Sequence, residues 1–150
     1  MRKSCSGFTV VELLIILSLM ALLFTLGIAQ YNHFNRSQSL VKARDELISN
    51  LRLTQSKALA AEKPSSCLGA LSGHKLKFID NRHYKIVAVC GGEIDIKTDI
   101  TLPSGVTKQA GPDEIFFKVL SQGSESDVSF VLSGFGETKT VTVSTVGEIK

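Results

Sequence analysis

The stretch from Phe8 to Ala29, FTVVELLIILSLMALLFTLGIA, is apolar in character over 22 residues and holds a single charged side chain, Glu12, near its start. As an α-helix it would rise about 33 Å, close to the thickness of a bilayer's hydrocarbon core. A charge inside such a run costs roughly 2.5–3.5 kcal/mol by insertion scales, so Glu12 needs something that compensates it. Arg2 and Lys3 precede the run and no further Lys or Arg follows until Arg36. That asymmetry predicts a cytoplasmic N-terminus, a single membrane crossing and an exported remainder.

Two readings rest on these residues alone. In the first, the basic start, the apolar core and the small-x-small Gly27-Ile28-Ala29 before Gln30 form a secretory signal peptide. Such a core usually runs about 7–15 residues, and this one is longer and carries a glutamate. In the second, the run is a plain transmembrane anchor, which fits the length and gives Glu12 no purpose.

A third reading comes from resemblance. A short basic leader ending in Gly7, followed by Phe8-Thr9-Val10-Val11-Glu12-Leu13-Leu14-Ile15, resembles the class III signal of type IV pilins and type II secretion pseudopilins. The resemblance implies that a prepilin peptidase cuts between Gly7 and Phe8 on the cytoplasmic side and that Phe8 becomes the N-methylated terminus. It also places Glu12 at the fifth mature position, the family's hallmark. Burial physics then supplies a role for Glu12. In a filament of packed apolar helices its carboxylate needs an opposite charge, and the terminal ammonium of a neighbouring subunit can provide one.

Beyond the apolar run, Leu40, Val41, Leu47, Ile48, Leu51, Ala58 and Leu59 recur mostly at three and four residues, with Gln55 a polar interruption. Lys42, Arg44, Asp45, Glu46, Arg52 and Lys57 fill most other positions, the pattern of an amphipathic helix. The helix is expected to continue to residue 63, where Pro64-Ser65-Ser66 stops it, with Gly27 and the region from Asn32 to Ser37 as its weak points.

From Pro64 onward the period changes to two. Strands are expected over His74–Asp80, His83–Cys90, Glu93–Leu102, Glu114–Leu120, Val128–Leu132 and Thr138–Val146, separated by Asp80-Asn81-Arg82, Gly91-Gly92, Pro103-Ser104-Gly105, Gly111-Pro112-Asp113, Gln122-Gly123-Ser124 and Ser133-Gly134-Phe135-Gly136. The expected class is α+β and pilin-like: a long N-terminal helix, membrane-spanning in its first half, packed on a small antiparallel head. Its divisions are a leader at 1–7, a transmembrane half-helix at 8–29, an amphipathic half at 30–63 and a β-rich head at 64–150. The C-terminal part, Phe130-Val131-Leu132-Ser133-Gly134-Phe135-Gly136 followed by a Thr/Val strand and Val146-Gly147-Glu148-Ile149-Lys150, resembles the last hairpin of GspH/FimT-type minor pseudopilins.

Little else carries chemistry. Cys5 leaves with the leader, so Cys67 and Cys90 form the one possible disulfide of an exported head. The alternative is two free or buried thiols. His33, His74 and His83 are scattered without metal-ligand spacing and read as surface or partly packed imidazoles. Glu125 and Asp127 lie in a Ser-rich loop and read as solvated rather than as calcium ligands. There is no nucleophile elbow, no phosphate loop and no catalytic constellation, so no enzyme and no cofactor is expected. The formal charge of +3 owes two units to Arg2 and Lys3, and from Phe8 onward 15 basic residues face 14 acidic ones. That balance argues against nucleic acid, and the pair Lys75 and Lys77 fits outward alternation on a strand. The expected partners are the prepilin peptidase, other pilins or pseudopilins and an inner-membrane assembly platform. Competing roles are a DNA-binding or adhesive minor pilin and an exported anchored domain outside any filament.

Overall fold

The computed structural model describes residues 9–150, with the side chains of residues 25–29 and 32–33 outside that description. One helix, α1 (Val10–Leu59), precedes seven strands: β1 (Gly73–Phe78), β2 (His83–Val89), β3 (Glu93–Thr101), β4 (Val106–Ala110), β5 (Glu114–Lys118), β6 (Val128–Gly134) and β7 (Glu137–Val143). Contacts divide the chain into two units, Met1–Asn35 and Arg36–Lys150.

In the first unit the described side chains from Val10 to Phe24 are exposed, including all the large apolar ones. Among the described residues no helix is long and apolar enough to cross a membrane.

The second unit builds a core between the later part of α1 and the strands. Leu40, Ala43, Leu47, Ile48, Leu51 and Ala58 point one apolar stripe at Leu76, Phe78, Tyr84, Ile86, Phe117, Phe130, Leu132 and Val141. This is the three- and four-residue spacing read from the sequence, now with its partner surface. The strands form two antiparallel sheets of order β3-β2-β1-β5 and β4-β6-β7. Successive hairpins explain most of this pairing, and β5 returns to lie beside β1.

Two expectations shift. The helix stops at Leu59, short of residue 63, because Ala61 adopts a left-handed φ of 50°. The Glu62 N–H then bonds the Lys57 carbonyl at 3.0 Å and the Ala61 N–H bonds that of Ala58 at 3.1 Å, a Schellman cap. The second difference is β4, a strand where the sequence suggested only a connection between two turns. Its inward residues are Val106 and Lys108, and a lysine hides the alternation. The Lys108 ammonium is nevertheless buried, 2.6 Å from the Asp113 carboxylate, 3.1 Å from the Pro112 carbonyl and 4.8 Å from the Phe78 ring centroid. That charge-assisted bond holds the Asp113 carboxyl below its ordinary range.

Candidate functional site

The first helical turn is organised by Thr9 and Glu12. The Glu12 carboxylate accepts from the Thr9 backbone N–H at 3.1 Å and from its hydroxyl at 3.0 Å, while the Thr9 hydroxyl accepts from the Glu12 N–H at 3.2 Å. This is a reciprocal capping box, with Thr9 at the N-cap and Glu12 three residues on. The signal Thr-x-x-Glu stood in the sequence and assigns Glu12 a partner within its own chain. Both residues are exposed, at the head of the exposed apolar array that runs to Phe24. The expected cleavage and methylation positions, Gly7 and Phe8, lie outside the described residues.

In the second unit, Cys67 and Cys90 meet as a disulfide with Cα atoms 5.7 Å apart, joining the loop after α1 to the residue after β2. Ala88, Leu71, Ile94 and Ile96 surround them as a satellite cluster.

The histidines divide. The His33 side chain lies outside the described residues. His83 is exposed and its Nδ1 sits 2.7 Å from Asp80 Oδ2. Asp80 also accepts the Arg82 and His83 backbone N–H groups, and these bonds, Arg82's first, hold its carboxyl down at about 2. His74, in contrast, is fully buried, against the expectation of a surface or partly packed ring.

The outward faces of the two sheets differ in chemistry. On the four-stranded sheet, Lys75 lies 3.0 Å from Glu114 and 3.7 Å from Glu93, Lys77 lies 3.0 Å from Glu93, and Lys85 lies 2.7 Å from Asp95. The lysines of β1 and β2 are thus each paired with a carboxylate. On the three-stranded sheet the outward positions are Thr107 and Gln109, Ser129, the half-buried Val131 and Ser133, and Thr138, Thr140 and Thr142. They align in rows, Thr107 with Ser133 and Thr138, Val131 with Thr140, and Ser129 with Thr142, and none is charged.

A brace holds the near end of the head. The β6–β7 turn places Phe135 and Gly136 at φ of 55° and 84°, the left-handed pair that a two-residue hairpin turn requires. The Phe135 ring lies 5.8 Å from the Arg36 guanidinium, and Glu137 accepts from the Ser37 hydroxyl at 3.4 Å. Gln55, the polar break in the helical stripe, donates to the Gln122 and Gly147 carbonyls at 2.6 and 2.8 Å and so ties α1 to two distant loops. Asp127 accepts the Thr145 N–H at 2.8 Å, a structural use of one of the two loop carboxylates. Among the described residues no group of His, Cys, Asp or Glu is placed to hold a metal.

A helix whose buried stripe packs on antiparallel strands, with its N-terminal part bare and apolar, is a pilin-like fold. Among solved structures the chain is similar to the type IV minor pilin FimU of Pseudomonas aeruginosa, at a TM-score of 0.59 and 14% sequence identity, over 78% of this chain and 90% of that one. No protein-family model matches the sequence, and no curated protein matches it.

Proposed function

We propose that this chain is a minor pilin or pseudopilin, a structural subunit of a filament rooted in the inner membrane, serving a type IV pilus or a type II secretion system. The observation that carries the reading is the pilin-like fold standing behind a Phe-Thr-x-x-Glu start. In this reading prepilin peptidase cuts at Gly7/Phe8, Phe8 is methylated, and the sequence from Phe8 to Ala29 anchors the subunit until the assembly platform passes it into the filament. The C-terminal resemblance favours a GspH/FimT-type subunit. The paired lysines of β1 and β2 favour this structural role over capture of nucleic acid, since their charge is already met within the head.

Glu12 has two roles to separate, the cap of its own helix and the partner of a neighbour's ammonium. Glutamine at position 12 keeps a capping side chain and loses the charge, whereas Thr9→Ala keeps the charge and loses the cap. Leaving one member of a buried ion pair uncompensated costs about 3–5 kcal/mol, or roughly two to three orders of magnitude in docking. Processed Glu12→Gln and Glu12→Leu subunits are therefore expected to insert normally and to lose crosslinking to filament partners, while Thr9→Ala retains it. Undiminished incorporation of Glu12→Leu at equal membrane abundance would return the chain to the plain-anchor reading, and a mature N-terminus at Gln30 would make it a secreted protein.

A further inference from the structure

His74 stands on β1 on the same face as Leu76 and Phe78, between Ala88 of β2 and Phe117 of β5. Its ring is fully buried, and neither Nδ1 nor Nε2 has a hydrogen-bond partner. A buried polar group left unmatched loses its bonds to water without replacement and calls for an explanation. The charged groups that act on the ring are Lys57, in the last turn of α1, and Glu62, just past it, and these two form an ion pair with each other. The register neighbours Ala88 and Phe117 carry no charge.

That pair spans the Schellman cap. The Glu62 N–H closes on the Lys57 carbonyl, and the Ala58 carbonyl accepts from both the Ala61 and the Leu120 N–H groups, which joins the end of α1 to the chain just after β5. The segment leaving the cap leads to Cys67, whose bond to Cys90 fixes its far end. The imidazole therefore sits where the helix end, β1 and the exit from β5 converge.

We propose that His74 is an acid-operated latch on the C-terminal cap of α1. As a neutral ring it fits its apolar seat at the cost of unmatched nitrogens. As an imidazolium it is a buried cation beside the Lys57 ammonium, with the Glu62 carboxylate and backbone giving only the smaller, opposing stabilisation, and water reaches it when the cap opens. Opening frees the segment from Ala60 to Ser66 while the disulfide at Cys67 holds its far end.

The linkage sign follows from the seat. Burial first, and Lys57 second, lower the His74 pKa below its ordinary 6.5, against a smaller opposing pull from Glu62. The open state thus binds the proton more readily than the closed one. Closure is fully favoured above about pH 6.5 and is lost as the pH falls from there toward the folded value, by up to about tenfold per pH unit for one proton.

The test is hydrogen exchange on the full processed chain in detergent micelles between pH 7.5 and 5.0, with rates divided by the intrinsic chemical rate. Peptides covering residues 57–72 are expected to gain exchange as the pH falls, by up to about tenfold per unit, while those covering β6 and β7 stay constant. His74→Phe, and independently His74→Gln, should remove this response. The wild-type ring midpoint, read from its NMR shifts, is expected below 6.5, rising in Lys57→Met and falling in Glu62→Gln. A pH-independent 57–72 segment, an acid response that survives both His74 variants, or a wild-type midpoint at or above 6.5 would overturn the latch.

Discussion

Cutting the Cys67–Cys90 bond tests how far the head depends on its one covalent tie. The two residues are separated by 23 positions. Closing a loop of that length removes chain entropy from the unfolded state worth about 3 kcal/mol. The unit it stabilises runs from Arg36 to Lys150. At about 2.1 cal/mol/K per residue, a head of that size has a melting entropy near 0.24 kcal/mol/K, so loss of the bond should lower its Tm by roughly 13 °C. Both cysteines are nearly buried, which means that a double alanine variant adds a small cavity term of the same sign. Calorimetry on the micelle-bound chain, oxidised against fully reduced, gives the covalent term alone, and Cys67→Ala/Cys90→Ala gives the sum. A reduced chain melting within about 3 °C of the oxidised one would refute the entropic argument. Complete alkylation of both thiols without reduction, in protein recovered from an oxidising compartment, would refute the bond itself.

Two further outcomes test the packing. The Asn50 amide donates to the Tyr84 hydroxyl at 2.9 Å and its oxygen accepts from Lys97 at 3.0 Å, and burial pushes the Tyr84 phenol up to about 12. Tyr84→Phe strands the Asn50 donor and should cost about 1–3 kcal/mol by chemical denaturation, with an unchanged m-value. At Gly123 an added Cβ would stand 1.6 Å from the Thr145 carbonyl oxygen, so Gly123→Ala must displace one of the two loops. The expected cost is about 1–3 kcal/mol, with faster hydrogen exchange at Thr142 and Lys150, whose backbones pair with each other there.

What the sequence made legible is what local periodicity controls. The stripe from Leu40 to Ala58 and six of the strands follow from spacings of three and four or of two, and their ends differ from expectation by a few residues. The inward parity of His74 was also legible, since it shares a face with Leu76 and Phe78. Reading it as partly packed gave residue type more weight than position. Other features depend on groups distant in the chain. Ala61 takes a left-handed conformation with no glycine to announce it, and what secures the cap is the pairing of Glu62 with Lys57 and the bond from Leu120. Lys108 reads as solvent-facing until Asp113, Pro112 and Phe78 enclose it. Gln55 looks like a flaw in the stripe because its partners are Gln122 and Gly147. At the helix start the Thr-x-x-Glu pattern was complete in four residues, so the capping box needed no tertiary information.

The contrast between the two sheet faces gives the head a directional response to ionic strength. The Debye length falls from about 10 Å at 0.1 M salt to about 3 Å at 1 M, so fields from unpaired or imperfectly paired charges fade quickly as salt rises. Lys75, Lys77, Lys85, Glu93, Asp95 and Glu114 all lie on the four-stranded side, and contacts made through that side will strengthen or weaken with the medium. The rows of Thr, Ser, Gln and Val on the three-stranded side have no charge to screen. Association through those uncharged rows is expected to depend less on ionic strength than contact through the lysine-carboxylate pairs, so the salt dependence of a contact this head makes distinguishes the two surfaces.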